Sequence, residues 1–127
     1  MMRIIHEAVR MLLRLLFHVD EEKDEELRFA SVELEMNYKR FKLLASEGKI
    51  NEAENLLWET LDGVNQENFQ AAILFYDYIN TFTEEQLEQA EFSREEISEG
   101  ILEAAKLYGY DGMVQAILGA SEQDKCV

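Results

Sequence analysis

The side chains best suited to chemistry are few and scattered. The chain has two histidines, His6 and His18. On one helix they lie about 120° apart and about three turns distant, so they cannot share a metal ion. His18 and Glu22 could be drawn as a ligand pair, but one stands at a helix end, the other in an acidic run, and no third ligand follows. That run, Asp20-Glu21-Glu22-Lys23-Asp24-Glu25-Glu26, lacks the alternating acids and the turn glycine of a calcium loop. It reads as a solvated linker. The single cysteine, Cys126, has too few residues after it for a prenylation box and no partner for an intrachain disulfide. It is expected on a frayed tail, and it suits a reducing compartment.

Carboxylates are plentiful, yet each acid outside the linker falls where a helix surface or a cap would put it. No serine sits in a nucleophile elbow, and no glycine-rich phosphate loop is present. Trp58, Phe75, Tyr76 and Tyr78 could line a groove, although aromatics at helical spacing are more often core. Trp58 and Tyr76 fall beside their apolar stripes, which makes them the candidate groove residues. No catalytic, cofactor-binding or metal-ligating residue is assigned, no cofactor is expected, and the chain is read as a non-enzyme.

The elements that would position any site are helical. The chain of 127 residues is 47% apolar, has no proline, and carries a net charge of −15 from 27 acidic and 12 basic residues. That length fits one domain with a real core, and the charge argues against a nucleic-acid partner. An all-α fold of five to seven helices in antiparallel hairpins is predicted. The expected domain is 1–120, with an amphipathic first helix in 1–19, the linker in 20–26, and a mobile tail in 121–127.

Helix 1 covers Met2 to His18. Helix 2 runs from Glu25 to Glu47 with the stripe Leu27, Ala30, Leu34, Tyr38, Phe41, Leu44 and Ala45, and Gly48 stops it. Helix 3 runs from Asn51 to Gly63 and buries Ala53, Leu56, Leu57, Thr60 and Leu61. Helix 4 runs from Asn65 to Phe82 with Ala71, Ala72, Phe75, Tyr78, Ile79 and Phe82 inward. Thr83 with Gln86, and Ser93 with Glu96, are capping boxes that open helices 5 and 6. Gly100 lies on the inner stripe of helix 6. A glycine there costs about 1 kcal/mol against alanine, so close approach of a neighbouring helix is expected. A last helix spans Gly112 to Gly119. No segment alternates as a strand would.

Gly48-Lys49-Ile50-Asn51-Glu52-Ala53 resembles the inter-helix turn of a tetratricopeptide repeat. Phe41 departs from that pattern where a small residue is usual, and Asn65 where proline is usual. One such unit is visible, so a repeat-like hairpin is expected, not a solenoid. Gly48 through Leu57, then Phe75-Tyr76-Asp77, Phe92-Ser93-Arg94-Glu95-Glu96-Ile97 and Leu107-Tyr108-Gly109 resemble a family of small acidic helical bacterial proteins, a domain of unknown function. The resemblance implies a shared helical fold and brings no activity, ligand or site residue with it.

Helix 1 carries the functional expectation. Its apolar residues fill an arc of about 200°, whereas a core-facing helix needs about 100°. Residues 1–19 hold three arginines and one glutamate, +2, which leaves −17 for the rest of the chain. A helix clasped within the fold, a protein interface, and a helix on an anionic membrane all fit, although an acidic body would be repelled by that membrane. The expected role is a protein–protein interaction or scaffold protein, self-associating or partner-binding through Ile5, Val9, Leu12, Leu13 and Leu16 with Arg10 and Arg14. Peripheral membrane association is the alternative. Arg10 and Arg14 interrupt the apolar segment, no small-residue cleavage site follows, and the segment is too short to span a bilayer, so the cytoplasm is the expected setting.

Overall fold

The computed structural model describes residues 2–17 and 32–123, with side chains for 3–16 and 32–118. His18, Glu22, the acidic run 20–26, the expected start of helix 2 and Cys126 lie outside the described residues. Among the described residues there are seven helices and no strand: α1 (Met2–Phe17), α2 (Val32–Ser46), α3 (Ile50–Thr60), α4 (Gln66–Asn80), α5 (Glu84–Gln89), α6 (Arg94–Tyr108) and α7 (Asp111–Gln123). The all-α prediction therefore holds.

Local signals set the helix ends. Gly48 adopts a left-handed φ of +84°. Its N–H donates to the Ala45 carbonyl at 2.9 Å, and the Lys49 N–H donates to Leu44 at 2.9 Å. This paired arrangement closes α2 and turns the chain into α3. Both capping boxes form. Thr83 and Gln86 exchange side-chain-to-backbone bonds of 2.9 and 3.1 Å, and Ser93 and Glu96 bonds of 2.8 and 3.2 Å. Asn65 fills the place of the repeat's usual proline by accepting from the Glu67 N–H at 3.0 Å, which caps α4. The final helix runs to Gln123. Gly119 carries no left-handed turn and costs the helix only about 1 kcal/mol.

The helices assemble around α4, which packs against α1, α2, α3 and α6, while α7 packs against α6 and α1. Neighbours on all sides bury ten residues of α4. Phe69, Ile73 and Tyr76 thereby join the core although they lie off the expected stripe, while Tyr78 and Phe82 are only partly buried. The stripe pattern assumes a wet face, and α4 has almost none. Large side chains such as Phe41, Phe69, Phe75, Leu57 and Ile97 are fully buried. Each such side chain stabilises the fold by about 1.5–3 kcal/mol.

The wide apolar arc of α1 has a cause within the chain. Both α4 and α7 cover this helix. Ile5, Ala8, Val9, Leu12 and Leu13 are buried in the common core, and Leu16 packs against it. Ile5, Val9, Leu12 and Leu13, named above as interface candidates, thus face neighbours within the chain, and two neighbours in one fold need a wider face than one neighbour does.

Candidate functional site

Among the described residues, three of the polar side-chain groups join elements distant in sequence at part-buried or buried positions. The first joins α1 to α4. His6 Nδ1 lies 2.9 Å from Asp77 Oδ1, across 71 residues of sequence, and both side chains are part-buried. Burial pushes the Asp77 carboxyl above its usual range, while the bond to His6 and its charge pull it down. Arg3, Asn80 and Thr81 complete the lining of a cavity of about 320 Å³. An imidazole oriented by a carboxylate is half of a nucleophilic site. The hydroxyl in that lining, Thr81 Oγ1, already donates to the Tyr78 carbonyl at 2.6 Å. The pair links α1 to α4.

The second group contains both candidate groove residues. Trp58 Nε1 donates to Tyr76 Oη at 3.2 Å, and Tyr76 Oη donates to Glu54 Oε2 at 2.8 Å. The structure brings Trp58 and Tyr76 together but opens no groove between them. Tyr76 is fully buried and Trp58 partly so. The Tyr76 ring fills the space beside Gly100 of α6, where a Cβ would overlap Cζ, Cε1 and Oη. The close approach expected at Gly100 is thus made by a side chain of α4, not by a helix backbone. Burial and the neighbouring Glu54 carboxylate push the Tyr76 hydroxyl far above its ordinary pKa. Burial also raises Glu54, against the lowering effect of the Tyr76 bond.

The third group is Arg94, the first residue of α6, which is buried. Its Nη1 donates to the Asn80 carbonyl at 2.7 Å and to Asn80 Oδ1 at 2.9 Å. Its Nη2 donates to the Phe82 carbonyl at 2.6 Å, and its Nε donates to exposed Glu84 at 2.6 Å. One planar fork thereby satisfies the carbonyls at and just beyond the end of α4.

Sequence reasoning singled out neither Arg94 nor the His6–Asp77 pair. Signals existed for both. A cation in the first turn of a helix opposes the helix dipole and so must serve another group. Asp77 is the one acid in the otherwise uncharged stretch Phe69–Phe82. What remains outward on α1 is a narrow edge. Met11 is 48% exposed and Leu15 is 55% exposed, one turn apart. Arg14 is exposed and Arg10 partly so. A shallow depression of about 310 Å³ is lined by Glu7, Arg10, Met11 and Arg14.

These features define a small helical domain organised around one buried central helix, with its polar clusters tying helices together. The chain belongs to a family of unknown function (DUF6483), whose model matches residues 1–109. That span takes in α1 to α6, and α7 lies beyond it. No curated protein and no solved structure matches the chain. Among the described residues, no helix is long and apolar enough to cross a membrane.

Proposed function

We propose that this protein is a non-enzymatic interaction or scaffold protein of the cytoplasm, which self-associates or binds a protein partner with the outer edge of α1. The observation that carries this reading is the exposure of Met11 and Leu15 beside Arg10 and Arg14. Exposed apolar side chains ringed by polar ones suit a contact with another protein. The edge is also the basic part of an acidic chain, so an acidic, partly apolar segment is the partner it fits best. The buried polar clusters support a non-enzymatic role, because their donors and acceptors are used in holding helices together. Membrane association through α1 is disfavoured. It would require Ile5, Val9, Leu12 and Leu13 to leave the core.

The test compares two double variants. Met11→Glu with Leu15→Glu alters side chains already in solvent and should keep the circular dichroism of the wild type. It should lower the mass seen by light scattering, or lose the proteins cross-linked to wild type in its native lysate. If neither changes, α1 is not the contact surface. Leu12→Glu with Leu16→Glu should instead unfold the domain, because Leu12 is fully buried.

A further inference from the structure

We infer that two copies of the chain pair antiparallel through the outer face of α2. This rests on the reading of the protein as an interaction module, but it assigns a different surface and a specific occupant.

The inner face of α2 is set by Leu34, Phe41 and Ala45, which are buried. On the opposite side Val32 is 73%, Met36 64% and Leu43 60% exposed. Single exposed apolar residues are common on any surface. These three are in register. With Lys39 they are spaced four, three and four residues apart, which is the seam of a coiled coil. Lys39 carries a long apolar stem that can lie in such a seam while its ammonium reaches water.

Charge decides the occupant. Along α2 the acids come first, Glu33 and Glu35, and the bases follow, Lys39, Arg40 and Lys42. Two copies related by a two-fold axis between Asn37 and Tyr38 set Val32 opposite Leu43 of the second copy, and Met36 opposite Lys39. On the flanks, Glu33 then meets Arg40 of the second copy, a pair that occurs twice, while Lys42 lies over the Tyr78 ring at 4.8 Å and Glu35 pairs with Lys39 of its own helix at 3.6 Å. The helix dipoles also oppose in this arrangement. A parallel pairing would instead place Lys39 against Lys39. The antiparallel contact is closed and self-complementary, so it stops at a dimer. A helix of 15 residues gives a seam only about 22 Å long. Such a contact falls at or below the about 1,200 Å² at the low end of specific interfaces. The dimer is therefore weak and concentration-dependent.

Sedimentation equilibrium of the full chain, from micromolar to near-millimolar concentration, tests this. Wild type should pass from monomer to dimer. Met36→Glu with Leu43→Glu should weaken the dimer by about tenfold or more while keeping the helical circular dichroism. Arg40→Glu should weaken it less, and adding Glu33→Arg should restore it, because those positions meet only in the antiparallel register. Monomeric wild type throughout overturns the inference. So does a dimer indifferent to the α2 variants. If that dimer is instead dissolved by Met11→Glu with Leu15→Glu, the α2 assignment fails while the α1 reading stands. Failure of Glu33→Arg to restore the Arg40→Glu dimer overturns the antiparallel pairing.

Discussion

The ring of Tyr76 lies against the bare Cα of Gly100, so α4 and α6 meet through one residue's bulk and another's lack of it. The ring is held from its far end by Glu54 and Trp58, so it cannot swing aside without breaking both bonds.

Gly100→Ala should therefore destabilise the domain, although alanine is the better helix former by about 1 kcal/mol. A net loss of about 1–3 kcal/mol is expected from overpacking, read as a lower urea midpoint. Tyr76→Leu is destabilising by itself, since it leaves Glu54 and Trp58 without their partner. Combining it with Gly100→Ala should cost less than the sum of the two, because the methyl group then enters vacated space.

Arg94 should be among the residues the fold tolerates losing least. Arg94→Met keeps much of the stem but removes the guanidinium bonds to the Asn80 and Phe82 carbonyls. A loss of about 3 kcal/mol or more is expected in thermal unfolding. Faster amide exchange should appear in the last turn of α4. Arg94→Lys should recover only part, since one ammonium cannot span the positions that the guanidinium fork reaches.

The part-buried carboxyls make a signed prediction about pH. Asp77 and Glu54 both have folded pKa values above their ordinary ones. Between the ordinary and the raised value the folded chain holds more protons than the unfolded one. These two groups therefore contribute a fall in stability as pH rises through that window. Glu54→Gln, which keeps an acceptor for the Tyr76 hydroxyl, should flatten the fall in a series of unfolding curves. His6→Ala removes the bond and charge that lower Asp77, so carboxyl NMR should show Asp77 titrating at still higher pH. An unchanged Asp77 titration would mean that His6 does not hold it.

The legible parts of this protein are those governed by near neighbours in the chain. Thr83 with Gln86, Ser93 with Glu96, and the left-handed stop at Gly48 were all readable, because each depends on residues at most five apart. The candidate sites were less so. Trp58 and Tyr76 stand out in the sequence because each falls beside its stripe; for Tyr76 the reason is that α4 is buried on nearly every side, and the hydrogen bond between the two depends on α3 and α4 packing together. Arg94 carried a signal in its misfit with the helix dipole and Asp77 one in its uncharged surroundings, but that His6 is the partner of Asp77 depends on the packing of α1 against α4.

The sequence by itself determined an all-helical chain, most of its helix boundaries, and an unusually broad apolar face on α1. Those follow from hydrogen bonds and side-chain periodicity within a few turns. Only the tertiary structure decided what fills that face. A periodic pattern records how much of a helix must leave water, but not which neighbours displace it. Here α4 and α7 take most of the α1 surface, and the narrow edge at Met11 and Leu15 is what the fold leaves outward.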